Sequence, residues 1–379
     1  VRLKLTIALF LIVIGSVTPQ LLADDPLPSW NAGPAKESIL SFVTRVTDED
    51  GKDFVPPAER IAVFDNDGTL WPENPVPFQL AFALDGIKDL IATKPEAKDD
   101  PFVEAALSGD FEKLLADNHR GLLQIISLTH SGVTVEEFAR RVDNWMSSAE
   151  HPRYSRPYDE CVYLPMLELL TLLRENGFKT FIVSGGGADF MRVWSERVYG
   201  IPPEQVIGSH GQVTYELRDG KPLLVKTLDH VFVDDKDGKP VGIHRFIGRR
   251  PIACFGNSDG DKAMLEYTTI GNPHPSLGVI IHHTDADREY AYDAAPKSTG
   301  KLVEALADAP ERGWVLVDMK DDWIHVLRHQ ADFERPAHSV NALEKQRGNN
   351  RVAEKTLSIA SQEACVRSLI FTINGINFR

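Results

Sequence analysis

The chain has 379 residues, with 41 Lys+Arg against 55 Asp+Glu and a formal net charge of -14. Hydrophobic residues make up 42% and charged residues 25%, the balance of a folded globular protein, which excludes a disordered, collagen-like or polytopic membrane chain. The acidic surplus excludes a sequence-independent nucleic-acid binder, because such a protein needs a basic face to displace counterions.

Residues 1–23 read as a secretory signal. Arg2 and Lys4 precede an apolar run from Leu5 to Val17, and Pro19 and Ala23 follow it. A positive start, an apolar segment of about 7–15 residues and a small-residue exit define such signals. The run is shorter than the about 20 apolar residues of a membrane span. The expectation is export, to a bacterial periplasm or beyond, with no stable membrane insertion once the signal is removed. The three cysteines, Cys161, Cys254 and Cys365, are odd in number and lack metal-ligand spacing. Cys254 lies in an apolar run and reads as a buried small hydrophobe.

Residues 24–60 form a polar lead-in with one helix, expected over 38–46. Arg60-Ile-Ala-Val-Phe-Asp65 then has the length and β-branched content of a buried strand, broken by Gly68. About a hundred residues without a comparable strand follow. Their patterns predict helices over 78–91, 102–118 and 135–147, the last with Glu136 and Glu137 in its first turn, where negative charge is favoured. A second strand pattern, Lys179 to Ser184, ends in Gly185-Gly186-Gly187 and leads into an amphipathic stretch at 188–199. A hairpin is expected where Asp219-Gly220 joins the alternating runs 212–217 and 221–226. A third strand, 251–256, ends in Asn257-Ser258-Asp259-Gly260-Asp261, and a fourth, 278–282, ends at His283. Strands that end in polar or Gly-rich loops before helices predict an open parallel α/β sheet of Rossmann-like type. The expected division is a core from 24–70 and 165–333 with a helical cap inserted at 71–164. Residues 334–379 lack the strand-loop-helix rhythm and receive no role.

Ligands of open α/β sheets bind beyond the carboxyl ends of the strands, which gathers Asp65, Asp67, Ser184, Asn257, Asp259 and Asp261 into one place. Three or more acids converging there repel unless a cation joins them. Oxygen-only donors without clustered His or Cys favour magnesium. A calcium loop needs regularly spaced oxygens and a distal Glu that Thr69-Leu70-Trp71 does not supply.

Asp65-Asn66-Asp67-Gly68-Thr69-Leu70 after a strand resembles the first motif of the haloacid dehalogenase superfamily of phosphohydrolases, in its phosphoserine-phosphatase-like branch. Ser184-Gly185-Gly186 resembles the second motif. Lys239 fits the third better than its competitors Lys226 and Lys236. Gly256-Asn257-Ser258-Asp259-Gly260-Asp261 resembles the fourth, with Asn257 in place of its first aspartate. The resemblance covers roughly residues 61–285.

It implies that Asp65 attacks phosphorus to form an aspartyl phosphate, with Asp67 as acid and then base. Ser184, Gly185 and Lys239 would hold phosphate, and Asp65, Asp67, Asn257 and Asp261 would hold Mg2+. The acid at 67 favours a phosphatase over dehalogenases and ion-pumping ATPases of the superfamily. Because an amide brings no charge, the expectation at Asn257 is weaker metal binding or compensation by Asp261, with Asp259 assisting. Thr69 is expected to cap the turn, Glu73 and Trp71 to lie where substrate contacts fall, and His282-His283 to be packed or surface residues rather than ligands. The implied reaction is hydrolysis of a small phosphorylated metabolite. A phosphomutase, and a phosphate-ligand binding protein that has lost turnover through Asn257, are the alternatives.

Overall fold

The computed structural model describes residues 25–329 apart from 228 and 297, and not the side chains of residues 115 and 117–119. The expected signal, the expected tail and Cys365 lie outside the described residues. The chain opens with α1 (Pro34–Thr47), longer than the 38–46 expected because Pro34 fits the first helical position, where no N–H is needed. Its Ile39, Phe42, Val43 and Val46 are buried, so this lead-in belongs to the core.

Strand β1 (Ile61–Phe64), all four residues buried, leads into an all-helical insertion: α2 (Phe78–Thr93), α3 (Pro101–Ser108), α4 (Phe111–His130) and α5 (Val135–Ser148). The single helix expected over 102–118 is two. Gly109 ends α3 in the left-handed region (φ 74°), and the Asp110 side chain accepts from Lys113 N to start α4. The insertion has its own small core of Ala83, Ile87, Val103, Leu114 and Ile125. The chain returns through α6 (Leu164–Glu175), β2 (Lys179–Gly187), the short helices α7 (Ala188–Met191) and α8 (Ser195–Tyr199), and β3 (Val206–Ser209).

The hairpin of β4 (Val213–Arg218) and β5 (Lys221–Lys226) turns at Asp219 (φ 50°) and Gly220 (φ 74°). Positive φ at both central residues is the turn that matches strand twist. Then come α9 (Gly238–Phe246), β6 (Ala253–Gly256), α10 (Lys262–Thr269), β7 (Leu277–His282), α11 (Glu304–Arg312), β8 (Val315–Asp318) and α12 (Met319–Asp322).

The main sheet runs β3-β2-β1-β6-β7-β8, and every pair in it is parallel. Aromatic and aliphatic side chains fill both faces: Phe64 stacks on Phe255 at 4.4 Å on one, and Val63, Val183 and Ile280 pack on the other. The chain winds outward from β1 in both directions, so the crevice between the carboxyl ends of β1 and β6 is the topological switch point. No helix among the described residues is long and apolar enough to cross a membrane.

Candidate active site

Register places the reactive groups. Phe64 pairs with Ile182 of β2 and with Phe255 of β6, so Asp65, Ser184 and Asn257 leave neighbouring strands at the same end of the sheet. The Asp65 amide donates to Phe255 O at 2.9 Å, which carries the ladder one residue past β1. Asp65, Asp67, Ser184, Gly185 and Lys239 border one cavity of about 860 Å³, whose other wall includes Leu122, Leu123 and Ile126 of α4 and Phe138 of α5. Asn257 and Asp261, also at this end of the sheet, are buried.

Of the three candidate lysines, Lys239 is the one in contact with Asp65. Its side chain is 2% exposed, and its Nζ lies 2.7 Å from Asp65 Oδ1 and 2.6 Å from Asp261 Oδ1. Burial works against its charge, but Asp261 and Asp65 outweigh that and raise its pKa, so the ammonium is charged. Lys226 is instead paired with Asp189 and lies over the Phe138 ring, and Lys236 borders the cavity at a left-handed turn.

Asp65 is pushed well above the ordinary carboxyl range by burial and by Asp261, against the pull of Lys239. Its Oδ1 is taken by Lys239, and Oδ2 has no hydrogen-bond partner among the described residues. Asp67 is fixed by Trp71 Nε1, which donates to Oδ1 at 2.7 Å, and burial raises its pKa to about 6. The carboxyl end of β2 approaches the same carboxylate. A Cβ built on Gly186 would stand 3.4 Å from Ser184 Oγ and 3.6 Å from Asp67 Oδ2, and Gly186 N donates to Ser184 Oγ at 3.1 Å. Gly185, the other expected phosphate contact, is exposed at the cavity edge with its carbonyl taken by Ser209 Oγ.

Asp261, expected as a metal ligand, has both oxygens engaged. Oδ1 holds Lys239, and Oδ2 accepts from the Asn257 and Ser258 amides at 2.9 and 3.0 Å. Its work here is to position Lys239 and to shape the 257–261 loop. Asp259 also faces elsewhere, accepting from Val303 N and Ala305 N.

The polar cluster around Asn257 contains residues the sequence did not mark. Asn257 Oδ1 accepts from Thr69 Oγ1 at 3.2 Å, and Nδ2 donates to Glu73 Oε1 at 2.7 Å. Glu73 also accepts from Tyr292 and Thr299 hydroxyls, and burial raises its pKa to about 7. His283 is packed, as expected, but not idle. One ring nitrogen lies 2.7 Å from Gly68 O and the other 3.0 Å from Glu289 Oε2. Two acceptors require both nitrogens protonated. Burial opposes that charge, yet Glu289 outweighs it and raises the His283 pKa. Tyr292, Thr299 and Glu289 lie far along the chain in a region without periodicity, and no sequence signal singles them out.

Asp65 and Asp67 fit a hard divalent cation. Asp65 is buried and Asp67 half-buried, both offer only oxygen, Asp65 is crowded by Asp261 and Asp67, and each retains an oxygen without a donor among the described residues. Among the described residues no three Asp, Glu, His or Cys side chains gather into a metal-holding group. A cation here would rest on the Asp65 carboxylate, the Asp67 backbone carbonyl, the Asn257 amide oxygen, water and the ligand itself, as magnesium sites commonly do.

An open parallel sheet with an acid pair, a buried lysine and a serine loop at its switch point, under a helical insertion, defines an α/β enzyme of the type that acts at its strand ends. Residues 62–266, more than half of the chain, match the sequence model of the haloacid dehalogenase-like hydrolases, and the chain belongs to that family. None of the curated proteins matches it. Among solved structures, a protein of unknown function from Anaerococcus prevotii is 16% identical with a TM-score of 0.48, over 77% of this chain and 94% of that one. A phosphoserine phosphohydrolase-like protein from Francisella tularensis is 15% identical with a TM-score of 0.34, over 66% and 98%. The phosphoserine phosphatase of T. onnurineus is 19% identical with a TM-score of 0.30, over 60% and 86%. Likenesses this remote carry no part of the assignment.

Proposed function

We propose that this hydrolase is a magnesium-dependent phosphatase that removes the phosphoryl group from a small phosphomonoester through a covalent intermediate on Asp65. The observation that carries the reading is the state of Asp65: one oxygen pinned by a buried, charged Lys239, the other without a partner among the described residues, at the wall of the cavity beside Asp67 and Ser184. Asp65 Oδ2 bonds to phosphorus as the ester P–O bond breaks, and the protonated Asp67 carboxyl gives its proton to the leaving oxygen. Asp67, now a carboxylate, takes a proton from water as that water's oxygen attacks phosphorus, which frees Asp65 and phosphate. A group whose pKa lies near the working pH serves both directions of transfer. Ser184 and the Gly185–Gly187 backbone hold phosphate oxygens, and Lys239 neutralises charge on Asp65 and phosphate.

The Asp65 carboxylate, the Asp67 backbone carbonyl and the Asn257 amide oxygen would hold the Mg2+, which when bound offsets the repulsion between carboxylate and phosphate dianion. The inserted helices α2–α5 act as a cap, whose apolar wall excludes bulk water from the cavity. A cavity of about 860 Å³ suits a metabolite rather than a phosphoprotein. We also read the protein as exported to a bacterial periplasm or beyond, on the N-terminal sequence alone.

Release of phosphate from p-nitrophenyl phosphate and from a panel of phosphorylated metabolites tests the reading. Turnover that needs Mg2+ and disappears in Asp65→Asn supports it. Saturable phosphate-ester binding without turnover at any Mg2+ concentration overturns it in favour of a binding protein.

A further inference from the structure

Position 257 is an amide where the fourth motif is expected to supply a carboxylate, and the two acids expected to make good the lost charge are committed elsewhere. Asp261 holds Lys239 and the loop amides, and Asp259 holds the amides of Val303 and Ala305. The acid that touches Asn257 is Glu73, 3% exposed, whose Oε1 lies 2.7 Å from Asn257 Nδ2. Glu73 accepts three side-chain hydrogen bonds, from Asn257, Tyr292 and Thr299, and donates none. Three donors favour the ionised, acceptor-only form of the carboxylate against the cost of its burial.

The surrounding backbone is built to admit it. Gly68 (φ 77°) and Gly300 (φ 88°), one in the first motif and one beyond β7, are the places where a Cβ would stand 2.4 and 2.2 Å from Glu73 Oε1. Two left-handed glycines closing on one carboxylate make its position a requirement of the fold. The same contact removes an ambiguity inherent in an amide. An Asn can present oxygen or nitrogen to the site, and only oxygen binds a cation. With Nδ2 held by Glu73, Oδ1 faces the first-motif loop, where it accepts from Thr69 Oγ1 at 3.2 Å and keeps its second lone pair for a cation.

We infer that Glu73 is a positioning residue that takes over the charge missing at 257 and locks the Asn257 amide with its oxygen available to the cation. The inference rests on the metal-dependent reading above and deepens it. The negative charge of the fourth motif has moved one hydrogen bond outward, onto a residue of the loop after β1.

Mn2+ binding to the full chain, read by calorimetry, and thermal unfolding of the metal-free protein test this. Glu73→Gln is expected to weaken Mn2+ binding by about 10–100-fold, the usual effect of losing an outer-shell partner. Asn257→Asp alone sets two carboxylates in contact and lowers the midpoint of metal-free unfolding. The double variant Glu73→Gln/Asn257→Asp returns the charge to 257, and is expected to regain that midpoint and to bind Mn2+ within about threefold of wild type. Wild-type affinity in Glu73→Gln, or a double variant that binds no better than Glu73→Gln, overturns the inference. Should Glu73→Gln fail to fold, the double variant decides alone, and its failure to fold or bind overturns the inference as well. Wild-type turnover of p-nitrophenyl phosphate is read separately. Tight Mn2+ binding without turnover sinks the phosphatase reading while leaving this one standing.

Discussion

Lys239→Met isolates the electrostatic heart of the site. The methionine keeps most of the stem volume and removes the only charge between Asp65 and Asp261, whose oxygens lie 2.7 and 2.6 Å from Nζ. At an effective dielectric of about 20, each contact is worth about 6 kcal/mol of Coulomb attraction. Desolvation of three buried charges offsets much of that, and removing one partner of a buried pair typically costs about 3–5 kcal/mol. The variant is therefore expected to unfold in urea with a stability lower by about 3–5 kcal/mol at pH 7. Adding Asp261→Asn should recover part of the loss, because one of the two orphaned carboxylates is then gone. Phosphatase turnover is expected to fall by about 10²–10³-fold in the single variant, the range for losing a preorganised charge-stabilising donor. The double variant should stay inactive even as stability returns. A single variant with wild-type stability and turnover would refute the argument, as would a double variant less stable than the single.

Gly68→Ala should destabilise the fold by about 1–3 kcal/mol and abolish turnover, because its φ is 77° and a Cβ would stand 2.2 Å from Asn257 Nδ2; urea unfolding and phosphate release check this, and a neutral outcome would contradict it. His130 is buried, and burial followed by the Lys226 charge lowers its pKa to about 3. For a base with a depressed folded pKa the unfolded chain takes the proton first, so the His130 contribution is intact above about pH 6.5 and is lost as pH falls toward 3, by about 2 kcal/mol at pH 5. His130→Leu should flatten that acid limb in unfolding midpoints measured from pH 7 to 4.5, and an unchanged slope would sink the assignment. Chelation should stop turnover reversibly, with Mg2+ restoring it; full activity in excess chelator would remove the cation from the account.

Much of this site was legible because its chemistry sits where strands end. The β1, β2, β6 and β7 runs are short, apolar and closed by Gly or acidic turns, and the reactive residues follow them directly. Two edge or near-edge features were not. Val206–Ser209 has only Val206 and Ile207 as apolar side chains before Gly208 and Ser209, and Val315–Asp318 is only partly buried at the sheet edge, which blurs its pattern. The break at Gly109-Asp110 is a stop followed by a start, and the apolar period runs across it, so periodicity alone reads one helix.

Lys239 was marked only by the family resemblance, and its Nζ lies 2.7 Å from Asp65 Oδ1. Asp261 did not behave as a ligand because its second oxygen closes its own loop. Glu73 was placed near the site by its position after the first motif, but its partners Asn257, Tyr292 and Thr299 lie 184, 219 and 226 residues away. Contacts of that separation between irregular loops leave no periodic trace, and only the fold brings them together.

The central claim is that the Asp65 carboxylate accepts the phosphoryl group. Rapid acid quench of the protein during turnover of a 32P-labelled phosphomonoester, followed by peptide mapping, tests it most directly. The account predicts acid-stable, hydroxylamine-labile label on the peptide that contains Asp65, and none in Asp65→Asn. Steady turnover with no label on the protein, or label on any other residue, would contradict it.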